Sequence, residues 1–93
     1  MSKIVIVFEL PNMTEAQYDA IMTELNVANA THQAERPSHV AFQKGTSWCV
    51  IDVWNSAEAF MNFGQTTLFD IFARLGIEPP QPAIYPAHNY LGN

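Results

Sequence analysis

Basic residues are scarce in this chain: among 93 residues there are four, Lys3, Arg36, Lys44 and Arg74, spread far apart. Phosphate recognition needs a clustered basic face, so nucleic acid is not an expected partner, and a membrane surface is disfavoured for the same reason. Charge of either sign is thin as well. Charged residues make up 14% of the chain against a norm of about 25%, while the apolar share of 48% is ordinary. A small domain exposes proportionally more surface than a large one. So little charge therefore implies that a partner chain covers part of that surface, and the simplest partner is a second copy of this chain.

Cysteine occurs once, at Cys49. A single thiol forms no internal disulfide, so nothing argues for secretion and the cytoplasm is the expected compartment. Long apolar runs are missing too: the run from Ile4 to Phe8 stops at Glu9 after five residues, too short for a signal peptide or a membrane span. No glycine-rich phosphate loop and no recognised metal-ligand spacing is present, so neither a cofactor nor a metal is expected. The length corresponds to one domain, residues 1–93.

What is present centres on Ser38 to Phe63. Gly45 supplies the positive φ that a two-residue hairpin turn demands. With Gly45 and Thr46 as the turn, Lys44 pairs with Ser47, Gln43 with Trp48, Ala41 with Val50 and His39 with Asp52. A turn at Lys44-Gly45 instead sets His39 opposite Val50 and diagonal to Asp52. Alternation sorts the hairpin into two faces. One carries Val40, Phe42, Cys49, Ile51 and Val53 and reads as an ordinary core surface. The other carries His39, Ala41, Gln43, Trp48, Val50, Asp52 and Trp54 and reads as a pocket wall or a polar-seeded interface.

In chain order, Lys3 to Glu9 is a β-branched run that reads as a central strand buried on both faces. Thr14 with Gln17 forms a capping box, followed by Tyr18, Ile21, Met22 and Leu25 at helical spacing up to Asn26 or Val27. Asn29 to Pro37 has no period and reads as a loop that includes His32. Asn55 and Ser56 offer N-caps to a second helix, with Glu58 completing an Asn-x-x-Glu box. On this helix Ala57, Phe60, Met61, Gly64, Leu68, Ile71, Phe72 and Leu75 fall on one face. Gly76 stops it, with Ile77 placed to touch Phe72 and prolines following. Pro82 to Tyr90 alternates like a strand, and its prolines confine it to a sheet edge.

The order β-α-β-β-α-β is the ferredoxin-like arrangement, an α+β fold with a four-stranded antiparallel sheet in the order 4-1-3-2 and two helices on one face. The second sheet face then needs cover, which a homodimer provides. The run Asp52-Val-Trp54-Asn-Ser56-Ala-Glu58-Ala-Phe60 resembles the E-x-W-x-S-x-E-x-F signature of antibiotic-biosynthesis-monooxygenase-like proteins, members of the dimeric α+β barrel superfamily. That resemblance implies a dimeric barrel and a cofactor-independent monooxygenase or an isomerase acting on a cyclic or aromatic metabolite. This chain has Phe63 where the family typically has a histidine in the second helix.

His39 and Asp52 are the candidate catalytic residues. A carboxylate that accepts from one imidazole nitrogen fixes the tautomer and raises the basicity of the other, which suits proton abstraction. The same pair also serves as a self-satisfied polar contact inside an interface. Trp48, Trp54, Phe63, Gly64, Tyr85 and His88 are the candidate pocket lining for a small hydrophobic or aromatic ligand, and large aromatics equally build cores and dimer contacts. His39, Asp52 and His88 would have to converge to hold a metal, yet a 4-1-3-2 sheet separates the third and fourth strands by about 10 Å. Two functions remain open: a small enzyme with His39 as base and Asp52 as its orienter, favoured by that pair, and a non-catalytic dimeric binding or assembly module, favoured by Phe63.

Overall fold

The computed structural model describes residues 3–27, 35–78 and 80–91; His32, most of the loop before Arg36, and Pro79 lie outside them. The strands are β1 (Ile4–Leu10), β2 (Ser38–Lys44), β3 (Ser47–Trp54) and β4 (Ala83–Pro86). They form one antiparallel sheet in the order β2-β3-β1-β4, the ferredoxin-like order read from either edge. β1 is central and β4, with its prolines, lies at an edge, where a missing N–H costs no ladder bond.

The hairpin register is the one that a Gly45-Thr46 turn dictates. Gly45 has φ +60°, and Lys44 pairs with Ser47, Ala41 with Val50 and His39 with Asp52. Helix α1 (Glu15–Val27) opens on the reciprocal capping box. Thr14 N–H donates to Gln17 Oε1 at 2.9 Å and Gln17 N–H to Thr14 Oγ1 at 3.1 Å. Ile21 and Leu25 are its buried residues.

The second helical run departs from a uniform α-helix. It consists of α2 (Ala57–Phe63), a π turn over Gly64–Leu68 and α3 (Phe69–Arg74). Ser56 caps α2, accepting from the Ala59 N–H at 3.1 Å, while Asn55 Oδ1 accepts from Lys3 Nζ at 3.0 Å. The π turn holds one residue more than an α turn and so shifts the phase of the apolar stripe. Phe63 and Leu68, five apart, are both buried as a result, whereas Ala57, Met61 and Leu75, expected on the buried face, are exposed. Thr66 Oγ1 donates to the Asn62 carbonyl at 2.7 Å within this distorted stretch. The run ends in a Schellman motif: Gly76 at φ +70°, its N–H on the Ala73 carbonyl and the Ile77 N–H on that of Phe72.

Both helical runs cover the same side of the sheet, and this overturns the expected assignment of its faces. The core contains Ile6, Phe8, Leu10, Trp48, Val50 and Trp54 from the strands, under Ile21, Leu25, Phe60, Phe63, Leu68, Ile71 and Phe72 from the helices. The mixed face with the tryptophans is thus the internal one. The aliphatic face is the helix-free one, where Val40 is 53% exposed, Phe42 38% and Ile51 37%, although Cys49 is buried. β1 likewise alternates between fully buried Ile6 and Phe8 and half-buried Val5 and Val7, so within one chain it is buried on one side only. Apolar content fails to sort the faces because both are apolar. The internal side is set by which surface the α1 and α2–α3 stripes meet.

Candidate active site

A hydrogen-bonded chain of three side chains crosses from α1 to the hairpin. Tyr18 Oη lies 2.6 Å from His39 Nε2, and His39 Nδ1 lies 2.5 Å from Asp52 Oδ1. Each position follows from local structure. Tyr18 sits one turn into α1 on the stripe that faces the sheet, and the hairpin register sets His39 beside Asp52 on the facing strands. Asp52 is 3% exposed and is the most deeply buried charge of the site. Its second oxygen accepts from Trp54 Nε1 at 3.3 Å, and Arg36 Nη1 stands 4.0 Å from it. Arg36 reaches that depth because the Asn55 N–H holds the Glu35 carbonyl at 2.9 Å, docking the segment before β2 against the end of β3.

The proton positions follow from the partners. A carboxylate beside a guanidinium only accepts, so Nδ1 of His39 carries the hydrogen. In the neutral ring Nε2 then presents a lone pair, which accepts from the Tyr18 hydroxyl. Burial pushes the Tyr18 phenol above its ordinary value; the Arg36 charge draws it part of the way back, and Asp52 and Asp19 add to the rise. Tyr18 is therefore protonated at neutral pH, as a donor to Nε2 must be.

Tyr18, His39, Asp52 and Arg36 line a cavity of about 50 Å³. Its other walls are apolar, among them Met13, Met22, Phe63 and Leu68. The space is enough for a few waters, since about 10–15 Å³ on this measure holds one, and it is small for a ring. Met13 and Met22, unbranched and adaptable, are the wall residues best able to shift for one.

The sequence-derived lining separates into two groups. Phe63 lies on the cavity wall. Trp54 lies behind Asp52, with its ring 5.2 Å from that of Phe63. Trp48 packs 5.3 Å from the Tyr18 ring and keeps a buried Nε1 that has no hydrogen-bond partner among the described residues. The other three residues do not join them. Gly64 faces a separate apolar groove with Phe69 and Ile84, because the π turn points it toward the β4 edge. Tyr85 is opposite Val5 in register, on the helix-free face, and is 55% exposed. His88 follows β4 and is exposed. Among the described residues no group of three or more His, Cys, Asp or Glu stands close enough to hold a metal ion, and no helix is long and apolar enough to cross a membrane.

Sequence reasoning missed Tyr18 and Arg36. Tyr18 was counted only as an apolar position of α1, although a tyrosine buried in such a stripe needs a partner for its hydroxyl. Arg36 enters the sequence reading as a scattered charge and, with Pro37, as the mark of a surface loop delivering the chain to His39; that its side chain turns inward toward Asp52 has no signal in the sequence.

No protein-family model matches the sequence, and no curated protein matches it significantly. Solved structures do match. A protein described as an antibiotic biosynthesis monooxygenase from Chloroflexus aurantiacus J-10-fl superposes with a TM-score of 0.65 at 20% identity, over 98% of each chain. A protein of unknown function from Nitrosomonas europaea gives 0.72 at 14% identity, over 98% of this chain and 94% of its own. A mutant of SnoaB, a cofactor-independent oxygenase from Streptomyces nogalater, gives 0.69 at 15% identity over the whole of both chains. At these identities the likeness establishes the architecture: the chain shares the ferredoxin-like α+β fold with these three structures.

Proposed function

We propose that this protein binds a small hydrophobic cyclic or aromatic metabolite between α1 and the sheet and removes a proton from it without a cofactor. The observation that carries the reading is the unbroken Tyr18–His39–Asp52 chain on the wall of an otherwise apolar cavity. Its outer member is the phenol oxygen of Tyr18. A substrate proton passes to Tyr18 Oη as the Tyr18 proton passes to Nε2. The resulting imidazolium lies against the Asp52 carboxylate, and the electron pair stays on the substrate. Reprotonation at another carbon completes an isomerisation. Alternatively, where the proton came from a CH₂ centre, the carbanion reacts with dioxygen to give a carbonyl: one oxygen is retained, and the other leaves as water with the remaining hydrogen and the proton held by the Tyr18–His39 pair. The fold shared with SnoaB, a cofactor-independent oxygenase, favours the second route.

A second copy of the chain covers the helix-free face. Sparse charge and the exposed Val40, Phe42 and Ile51 support this. Sedimentation equilibrium at micromolar concentration is expected to give twice the 10.4 kDa chain mass, and a monomer would refute it.

The test of the chemistry is a screen of quinols, phenols and lactones. Oxygen uptake follows one route, and deuterium incorporation from heavy water follows the proton step common to both. His39→Ala is expected to reduce incorporation by about 10² or more, the usual worth of general-base catalysis, while the fold is retained. The non-catalytic alternative is favoured by the small cavity and by the fact that Nε2 is already bonded to Tyr18. It prevails if no compound exchanges and His39→Ala dissociates the dimer.

A further inference from the structure

Tyr18 stands between a base and an indole that treat a proton differently. On one side its hydroxyl lies 2.6 Å from His39 Nε2, and His39 Nδ1 is held by Asp52. On the other its ring centre lies 5.3 Å from that of Trp48. Trp48 is 9% exposed, so an edge of the ring still meets solvent. Its Nε1 is nevertheless buried and has no hydrogen-bond partner among the described residues. Buried polar groups are nearly always satisfied, and proton transfer from a substrate gives this orphan N–H no part.

The two sides together bear on the loss of an electron. A phenol that loses one electron becomes a strong acid, so it is readily oxidised only where a base takes the proton in the same step. His39 Nε2 is such a base, and the Asp52 carboxylate stabilises the imidazolium that forms. An oxidised indole likewise sheds its N–H proton when an acceptor is at hand. Trp48 Nε1 has no acceptor among the described residues, so oxidised Trp48 stays a radical cation, a strong oxidant toward the phenol beside it. The unequal provision for protons therefore directs the electron vacancy from Trp48 to Tyr18. Trp54 does not compete for it: it is 0% exposed, and the Arg36 guanidinium, 5.9 Å from its ring centre, opposes a second positive charge there.

We infer that Tyr18 is a one-electron donor, and that Trp48 passes to it the oxidising equivalent of an organic peroxyl radical arriving from solvent. In the first step the peroxyl radical takes an electron from Trp48 and a proton from water, which leaves a hydroperoxide, hydroxide and the Trp48 radical cation. In the second an electron moves from Tyr18 to Trp48 while the hydroxyl proton moves to His39 Nε2. Trp48 is restored, and a neutral phenoxyl radical remains beside an imidazolium that Asp52 balances. A one-electron reductant of the ascorbate class closes the cycle: its electron reduces the phenoxyl, and His39 returns the proton. The chain then acts as a sink for oxidising radicals. This activity goes beyond the proton-transfer reading, since it needs the same hydrogen on Nδ1 of His39 and no bound metabolite.

The probe is the trichloromethylperoxyl radical, generated by pulse radiolysis in a protein carrying Tyr85→Phe and Tyr90→Phe, so that Tyr18 is its sole tyrosine. The optical transients are expected to show a tryptophan radical first and the phenoxyl radical rising as it decays. With Tyr18→Phe added, the tryptophan signal is expected to persist with the spectrum of the protonated cation. Trp48→Phe is expected to remove the fast phenoxyl rise. His39→Gln keeps an acceptor for the hydroxyl but takes no proton, and is expected to lose the phenoxyl signal, while thermal melts check that each variant folds. The inference is overturned if no phenoxyl follows the tryptophan radical, or if its rise is unchanged in Trp48→Phe or its yield in His39→Gln. None of these outcomes touches the proton-transfer reading, which stands on deuterium exchange into a metabolite, and a failed exchange screen leaves this measurement intact.

Discussion

The two faces of the sheet are nearly equal in apolar content and opposite in fate. Under the helices lie Ile6, Phe8, Val50 and Trp54, and among them a carboxylate, an imidazole, a phenol and a guanidinium. On the other side Val5, Val7, Val40, Phe42, Ile51 and Val53 form a plainer apolar surface that none of the described helices covers. The face that holds the polar groups is thus the internal one, while the face that looks like a core is open. A buried charge is tolerable only when its partners are built around it, and Asp52 has them on three sides. An aliphatic face makes no such demand, and contact with the second copy proposed above would satisfy it.

The comparison breaks most visibly at Asp52. Asp52→Ala strips the carboxylate from a buried guanidinium and imidazole, and is expected to cost about 3–5 kcal/mol, the usual penalty for breaking a buried pair. Urea denaturation checks this, and a loss below about 1 kcal/mol, the scale of an exposed pair, would mean that water reaches the site freely. Next in size is a matched pair of truncations. Ile6→Ala, on the helix side, is expected to cost about 2–5 kcal/mol at any protein concentration. Ile51→Ala, on the open side, is expected to cost less, and its cost should grow with protein concentration if it weakens the proposed dimer. Equal and concentration-independent losses would contradict the division of the faces.

Smaller effects sharpen the same contrast. Tyr18→Phe keeps the ring against Trp48 and removes the bond to His39, with an expected loss of about 1 kcal/mol. Tyr18 also gives stability a pH dependence of definite sign. Its folded value is raised above the ordinary 10.0, so the unfolded chain gives up this proton first. The Tyr18 contribution is fully present below about 10 and is lost as pH rises through the folded value. Alkaline denaturation curves of wild type and Tyr18→Phe are therefore expected to converge above that point, and parallel curves would count against a buried phenol.

Much of this architecture was legible because short-range chemistry dictates it. Gly45 set the hairpin register, Thr14 and Gln17 the start of α1, Gly76 the end of α3, and the prolines around β4 an edge position. The His39–Asp52 contact followed from register alone. The assignment of faces was not legible, since alternation says which residues share a side and leaves open which side the helices choose. The π turn was hidden because a five-residue step from Phe63 to Leu68 looks like a break in a 3.6-residue period. Arg36 and Tyr18 escaped for opposite reasons: one lies where no period exists, and the other fits its period so well that its hydroxyl was overlooked.

The proposed base works only with the proton of the neutral His39 ring on Nδ1, and long-range ¹H–¹⁵N NMR of the ring at neutral pH measures where it lies. The predicted spectrum has a protonated Nδ1, bonded to Asp52, and an unprotonated Nε2 whose ¹⁵N signal moves in Tyr18→Phe. A ring protonated at Nε2 and bare at Nδ1 would contradict the account, because the Asp52 contact would not orient the base and no lone pair would face Tyr18.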